Sequence, residues 1–332
     1  MPDPTRIIGM ANAFFDSCLL FAACDLGVFG RLDAMGGADS DALAAALELD
    51  PRAARILLDA CVSTGLLEKE GSRYRNAPES SAFLVPGRPG DLSGVLRYNR
   101  DVYAAWGRVA SFAKSGAPVE SPQLHLGDDP HRTRTFVMSM HYKALSMARA
   151  SMSLLDIAGR RQLLDVGGGP GTFSVLIAQA NPEIVCTVLD LPPVAAIASE
   201  LIAQQGASAR VKTLPGDYHT TSFPPGNDVV NLFGMLHQES PESIQDLLRR
   251  SYQSMRPGGV VQVMDMMTDS THTAPKFSAI FALTMGLTTQ EGWVFSDTEL
   301  KTWMEEAGFT DFRVAPLPAP LPHWLASARK PG

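Results

Sequence analysis

His237 is a candidate general base because it follows a predicted strand. It stands in Met235–Ser240 (MLHQES), after the apolar run DVVNLFG and before a predicted helix. A neutral imidazole, with a pKa near ~6.5, can take the proton of a phenol or an enol at neutral pH. The alternative is a structural histidine that caps the next helix. We assign such a role to the other histidines considered, since no pair of them has metal-ligand spacing: His125, His131, His219, His272 and His323.

A glycine-rich turn joins a predicted strand to a predicted helix in LLDVGGGPGTF. Gly167, Gly169 and Gly171 allow the backbone to pass close to a bound molecule, which a Cβ atom would prevent. A dinucleotide fingerprint would need glycine at the position of Thr172. The spacing therefore indicates a nucleoside without a pyrophosphate.

Three aspartates stand at the ends of successive predicted strands: Asp165 before the glycine turn, Asp190 in VLDLP and Asp217 in GDYH. Each could be a helix cap or a turn residue. In an open α/β sheet, however, the carboxyl ends of the strands form the ligand-binding edge. There the Asp165 carboxylate would accept hydrogen bonds from an ammonium group, and that of Asp190 from two ribose hydroxyls. Asp217 would accept a hydrogen bond from an adenine amino group, and the Tyr218 side chain would pack against the adenine ring. These groups together describe S-adenosylmethionine.

The elements that must position these residues form an α/β fold. From Arg161 onward, short apolar strands alternate with amphipathic helices, which is typical of a parallel sheet covered on both faces. FRVAPL and HWLASAR are predicted to complete that sheet as an antiparallel edge pair. We place the strands at QLLDV, IVCTVLD, RVKTL, DVVNLFG and GGVVQVMDM.

The N-terminal part is predicted to be a separate, mostly helical domain. Its second helix begins with Asp50 as N-cap and Pro51 as first residue, and LLEKEGSRYRN is predicted to form a hairpin. The order of helix, helix and hairpin is typical of a winged helix. Residues 8–30 are apolar on nearly every helical face, so a partner chain is expected to cover them. The predicted domains are 1–95, a winged-helix-like domain; 96–155, a helical linker and substrate-pocket region; and 156–332, the domain that would bind S-adenosylmethionine.

Composition excludes several classes of protein. A net charge of -7 and a pI near 5.5 argue against nucleic acid as the principal partner. The 4 scattered cysteines lack metal-ligand spacing and favour a reducing, cytoplasmic location. Because Asp16 and Asp25 interrupt the apolar N-terminal segment, well short of the ~20 apolar residues of a membrane helix, no membrane span is expected.

Two non-catalytic functions are the alternatives to an enzyme. A DNA-binding regulator would use the helix after Asp50, but Arg52 and Arg55 are its only basic residues and the hairpin begins with Glu68-Lys69-Glu70. These acids would repel phosphate. The other alternative is a protein that binds the cofactor without turnover.

Nearly the whole chain resembles the class I S-adenosylmethionine-dependent small-molecule O-methyltransferases, which include caffeate and hydroxyindole enzymes and bacterial natural-product tailoring enzymes. The resemblance rests on LGVFGRL, LLDACVSTGLLEKEGSRYRN, LLDVGGGPGTF, VLDLP, GDYH, the LH of GMLHQES, RPGGVVQVMD and EEAGF. It implies a homodimer with intertwined N-terminal helices, a seven-stranded Rossmann-like methyltransferase domain behind an N-terminal α-helical winged-helix dimerisation domain, and a pocket between the two.

The resemblance also implies residue roles, with His237 as catalytic base and no metal. The expected cofactor-binding residues are Asp165, Gly167, Gly169, Asp190, Leu191, Asp217, Tyr218 and Phe233. The expected substrate-binding residues, which could also be ordinary core, are Trp106, Phe136, Met140, Met235 and Met285.

The sequence departs from the family pattern beside His237. Gln238 and Glu239 follow it where the family usually has Asp-Trp, and Val294 stands near the first of two expected flanking acids. Glu291 is the carboxylate that a shifted loop would bring to the imidazole. The sequence thus predicts O-methylation of a phenolic or enolic hydroxyl on a small aromatic or polyketide-like molecule. The alternative is C-methylation, or a non-methylating reaction on the same scaffold.

Overall fold

The computed structural model describes residues 2–88, 90–92, 96, 99–121, 127, 129–319 and 321–332, so His125 lies outside the described residues. The chain divides into two compact units, Met1–Asp101 and Val102–Gly332. Residues 102–155, predicted to belong to a separate linker and pocket region, are part of the unit that contains the large sheet.

The first unit consists of short helices and one hairpin. Its helices are α1 Thr5–Asn12, α2 Phe14–Asp25, α3 Val28–Met35, α4 Ser40–Ala46, α5 Pro51–Ser63 and α6 Pro78–Phe83. Strands β1 Leu67–Glu70 and β2 Arg73–Asn76 pair antiparallel, so the predicted order of two helices and a hairpin is present. The Asp50 side chain accepts a hydrogen bond from Ala53 N–H at 2.8 Å, as expected of a helix cap.

Helices α1 and α2 leave several of their apolar side chains exposed. The side chains of Ile7, Ile8, Met10, Phe14 and Phe15 are each at least half exposed. By length and composition alone, Thr5–Asp25 meets the criterion for a membrane-crossing helix, with 21 residues and a mean hydropathy of 1.7, in spite of its aspartates. Apolar helices that pack against protein meet the same criterion. An exposed apolar surface of this kind is typical of one that protein or lipid covers.

The second unit is built on a 7-stranded sheet with the order β5-β4-β3-β6-β7-β9-β8. The first five strands in that order are parallel, and β9 runs antiparallel to both β7 and β8. The predicted antiparallel pair at the edge is confirmed. The strands are β3 Gln162–Val166, β4 Val185–Asp190, β5 Val211–Pro215, β6 Asn227–Phe233, β7 Met255–Asp265, β8 Thr310–Pro316 and β9 Trp324–Arg329.

Helices cover both faces of this sheet, as its almost continuously apolar strands require. The described helices of this unit are α7 Tyr103–Trp106, α8 Val109–Ser115, α9 Pro130–Ser151, α10 Thr172–Ala180, α11 Pro192–Gln204, α12 Pro241–Ser254, α13 Lys276–Thr288 and α14 Asp297–Glu306. Of these, α7 and α8 pack against α13. From β3 the chain runs outward through β4 to β5 and returns to β6 on the other side of β3. Such a reversal opens a crevice at the carboxyl ends of the strands, where ligands bind in open α/β sheets.

Candidate active site

The turn after β3 requires glycine for two reasons. Gly167 and Gly169 have φ values of 62° and 53°, a region that side chains with a Cβ atom rarely occupy. At Gly168 the restriction is space, because a Cβ atom there would lie 2.7 Å from Cγ of Asp165 and 2.9 Å from Cγ1 of Val188. The turn therefore lies flat against the strand ends.

Two of the predicted aspartates flank this turn. The buried Asp165 carboxylate accepts a hydrogen bond from the Ser174 hydroxyl at 2.6 Å, and burial raises its pKa to about 7. Asp190 accepts hydrogen bonds from Gly169 N–H at 2.7 Å and Leu191 N–H at 2.8 Å. Burial raises its pKa to about 6, although these two N–H groups oppose the shift. Asp190 thus fixes the glycine turn to the end of the neighbouring strand.

Tyr218 lies beside the glycine turn and is held by a buried carboxylate. Its hydroxyl donates to Glu239 Oε1 at 2.6 Å, and its ring lies 3.6 Å from the point that a Cβ atom on Gly167 would occupy. Burial, followed by the charge of Glu239, raises the pKa of Tyr218 well above its usual value. Glu239, in place of the family's usual tryptophan, therefore orients Tyr218.

His237 is paired with a carboxylate at the end of the adjacent strand. It lies in a short 3₁₀ turn, Leu236–Gln238, and its Nδ1 is 2.6 Å from Oδ1 of Asp265, the last residue of β7. Asp265 is fully buried and also accepts hydrogen bonds from the backbone N–H groups of His237 and Met266. A carboxylate at Nδ1 favours the tautomer protonated there, which leaves the lone pair on Nε2.

Comparison with known families decides the identity of this fold. Residues 116–310 match the O-methyltransferase domain, and residues 8–86 match the O-methyltransferase dimerisation domain.

The chain belongs to the O-methyltransferase family.

Similar proteins agree with this assignment of an S-adenosylmethionine-dependent methyltransferase. The chain is 30% identical to a 3-hydroxy-5-methyl-1-naphthoate 3-O-methyltransferase of Streptomyces sahachiroi, over 96% of the chain and 92% of the relative. It is 28% identical to an L-tyrosine C(3)-methyltransferase of Streptomyces lavendulae, over 98% and 94%. A structure of human N-acetylserotonin methyltransferase in complex with S-adenosylmethionine superposes with a TM-score of 0.89 at 27% identity, covering 100% of this chain and 99% of that one.

The methyltransferase has a cavity at the carboxyl edge of the sheet, with about 1130 Å³ of empty space that is partly open to solvent. It is lined by most of the residues expected at the site: Phe136, Met140, Asp165, Gly167, Gly169, Asp190, Leu191, Tyr218, Phe233, Met235 and His237. The narrow glycine turn and the acids at two strand ends fit a nucleoside cofactor of the S-adenosylmethionine type.

Other expected residues of the methyltransferase lie elsewhere. Asp217 uses Oδ1 to accept a hydrogen bond from His219 N–H at 2.8 Å and is not among the described residues that line this cavity. Trp106 and Met285 are likewise outside the described lining. Trp106 ends α7, which packs against α13, and Met285 of α13 is buried with Phe281.

The expectation that Glu291 supports His237 is corrected by the structure. The Glu291 side chain is exposed, and the carboxylate bonded to the imidazole belongs to Asp265. The loop after Glu291 meets His237 through its backbone instead, since Trp293 N–H donates to the His237 carbonyl at 3.0 Å. The physical reason is register: Asp265 ends a strand that pairs directly with the strand before His237.

Sequence reasoning about the methyltransferase missed three polar residues. Asp265 ends a predicted strand, the same signal that identified the other aspartates. Lys143 lies seven residues after Phe136, on the same face of a predicted helix, and lines the cavity. His323, interpreted as structural, is buried and also lines the cavity, a position that no local pattern indicates. Among the described residues, no group of at least 3 His, Cys, Asp or Glu side chains is arranged to hold a metal ion.

Proposed function

We propose that this methyltransferase methylates a phenolic or enolic hydroxyl of a small aromatic or polyketide-like molecule, with His237 as general base. The observation that supports this most is the 2.6 Å contact between His237 Nδ1 and the buried Asp265 carboxylate. A base needs an orienting partner, and here that partner is fixed by three hydrogen bonds at the end of β7.

The chain's own groups divide the work of the reaction. When bound, S-adenosylmethionine supplies a methyl group on a sulfonium sulfur. Nε2 of His237 accepts the hydroxyl proton, and Asp265 stabilises the resulting imidazolium. Removal of the proton by a general base typically accelerates a reaction by ~10² to 10⁴-fold. Holding the acceptor oxygen and the methyl carbon in line lowers the activation free energy by up to ~7 to 11 kcal/mol, which is the larger effect. Most of the acceleration is therefore assigned to the cavity walls.

Cofactor binding is assigned to the residues around the glycine turn. Asp165 would accept hydrogen bonds from the ammonium group of the cofactor, and Asp190 from its ribose hydroxyls. The Tyr218 side chain would pack against the adenine. Gly167 and Gly169 allow close approach of the backbone, and Leu191 and Phe233 line the same part of the cavity. Because Asp217 bonds to its own turn, we give Tyr218 the larger share of adenine recognition.

The N-terminal helices are proposed to form a homodimer interface. The dimerisation-domain match begins at residue 8 and so includes the last part of α1 and all of α2. Burying exposed apolar side chains of this kind is worth about 25 cal/mol per Å². We also place the protein in the cytoplasm, where Cys61 and Cys186, which form no disulfide, stay reduced. Light scattering should give twice the chain mass, and Phe14→Glu should give monomers. A wild-type monomer at micromolar concentration contradicts the dimer.

C-methylation is the second candidate, since one similar protein is named as a tyrosine C-methyltransferase. The test is incubation with methyl-labelled S-adenosylmethionine and a panel of phenols, with NMR to locate the methyl group. His237→Ala should keep its affinity for S-adenosylhomocysteine and lose turnover by about 10²-fold or more. Unchanged turnover in His237→Ala removes the base from the mechanism, and a new carbon–methyl signal favours the second candidate.

A further inference from the structure

His323 is a buried histidine in the wall of the cavity. It is 4% exposed and lines the cavity together with His237. It stands directly before β9, whose first residue, Trp324, pairs with Asp265 at the end of β7. Because β9 runs antiparallel to β7, the N-terminal end of β9 lies at the carboxyl edge of the parallel strands, where His237 also lies. His323 and the proposed base therefore share one edge of the sheet.

The strand order places His323 away from the glycine turn. Along the sheet β4, β3, β6, β7 and β9 follow one another, and Asp190 and Asp165 belong to the first two of these strands. Neighbouring strands are about 4.8 Å apart, so the backbone of β9 lies about 10 Å from β6 and about 14 Å from β3. His323 is therefore on the far side of His237 from the acids assigned to the cofactor, where the methyl acceptor would bind.

The two ring nitrogens of His323 have different surroundings. Nδ1 is completely buried and has no hydrogen-bond partner among the described residues. Buried nitrogens in native proteins ordinarily have a partner, which is what a histidine with a purely structural role would show. Since Nδ1 is enclosed, Nε2 is the nitrogen that can meet a molecule in the cavity.

The position of the proton on His323 decides what Nε2 can bind. Burial lowers the pKa of His323 to about 3, so the imidazole is neutral at pH 7 and carries one N–H group. In native proteins a buried backbone N–H without a partner is rarer than an under-bonded acceptor, and the same preference places the proton on Nε2 rather than on the enclosed Nδ1. His323 thus offers a hydrogen-bond donor to the cavity.

We propose that His323 forms a subsite for a carbonyl oxygen of the methyl acceptor, which accepts a hydrogen bond from Nε2 while His237 deprotonates the hydroxyl. The substrate class is then a hydroxylated aromatic ketone. This inference rests on the proposed O-methylation, which it makes more specific.

The test compares phenols that differ in one carbonyl group: the three isomers of hydroxyacetophenone and the matching ethylphenols. Calorimetric titration of the full chain with S-adenosylhomocysteine bound gives the ratio of ketone affinity to ethylphenol affinity for each isomer. His323→Phe should lower this ratio by about 2- to 10-fold for at least one isomer, as expected for the loss of one neutral hydrogen bond. His323→Gln, which keeps an N–H donor, should recover part of the ratio. The exposed His131→Phe is the matched control and should keep the wild-type ratio.

Urea unfolding separates a binding role of His323 from a structural one. Because Nδ1 has no partner to lose, His323→Phe should leave the midpoint of unfolding unchanged or raise it. A lowered midpoint, or a variant that does not fold, would mean that His323 supports the fold and would overturn the subsite.

Two results of the titrations would also overturn it: a ratio that His323→Phe leaves unchanged for every isomer, or no binding of any of these compounds to the wild type. Methyl transfer assayed alongside separates this inference from the proposed function. Transfer to the phenolic oxygen with no dependence of the ratio on His323 leaves O-methylation standing and removes the subsite. His323-dependent ketone binding without transfer to oxygen does the reverse.

Discussion

Replacing Asp265 with asparagine tests whether the buried carboxylate acts through His237. Both Asp265 oxygens accept hydrogen bonds, Oδ1 from His237 Nδ1 at 2.6 Å and Met266 N–H at 2.7 Å, and Oδ2 from His237 N–H at 3.2 Å. Asparagine has one acceptor oxygen, so in either orientation its NH₂ group faces an N–H donor. If NH₂ faces the imidazole, the ring takes the tautomer that lacks a lone pair toward the acceptor.

The expected loss follows from these contacts. A hydrogen bond to a charged group contributes about 1.5–3 kcal/mol, or roughly 10- to 100-fold, and the wrong tautomer forfeits much of the ~10² to 10⁴-fold contribution of the base. We expect Asp265→Asn to lower kcat by about 10²-fold or more. One unsatisfied buried donor should also lower the free energy of unfolding by about 1–3 kcal/mol.

The assay is single-turnover methyl transfer at saturating cofactor, with thermal unfolding and S-adenosylhomocysteine titration to confirm folding and cofactor binding. If Asp265 acts through His237, Asp265→Asn should cause little further loss of kcat in a His237→Ala background. Glu291→Gln, an exposed carboxylate on the nearby loop, is the control and should keep wild-type kcat. The reasoning is refuted if Asp265→Asn lowers kcat equally in both backgrounds, or if Glu291→Gln has the larger effect.

Three further predictions concern the cofactor end of the site. Burial raises the pKa of Asp190 from 3.8 to about 6 in the folded protein, so between these pH values the folded apo-protein binds more protons than the unfolded chain. The free energy of unfolding therefore falls as pH rises from about 4 to 6. Urea unfolding at pH 5 and 7.5 should show a smaller decrease in this free energy for Asp190→Asn than for the wild type, and an equal decrease contradicts the shift. Gly168→Ala should lower the free energy of unfolding by about 1–3 kcal/mol, because the added Cβ atom would lie 2.7–2.9 Å from its neighbours. The control is Gly107→Ala, whose added Cβ atom would have its nearest contact at 3.5 Å and which should be tolerated in the same unfolding assay. Glu239→Leu and Tyr218→Phe each break the 2.6 Å bond that orients the tyrosine, so S-adenosylhomocysteine titration should show weaker binding in each and no additive loss in the double variant. Additive losses would mean that the two residues act separately.

The sequence by itself determined the fold class and the cofactor edge. Alternating apolar strands and amphipathic helices are local patterns, and so are a glycine turn and an acid at a strand end. The turn at Gly167 and Gly169 and the aspartates at 165 and 190 line the cavity, and each is specified by its own strand and the helix that follows it. Their role in cofactor binding stays a prediction. Asp217 shows the limit of this reasoning: its strand end was found, but its side chain bonds to the local turn.

Only the tertiary structure decided what surrounds His237. Asp265 is 28 residues away along the chain and reaches the imidazole because β6 and β7 pair in parallel register, whereas Glu291 is exposed on a loop. Lys143 and His323 come to the same wall from α9 and from the residue before β9. Their convergence depends on helix packing and strand order, which no local pattern encodes.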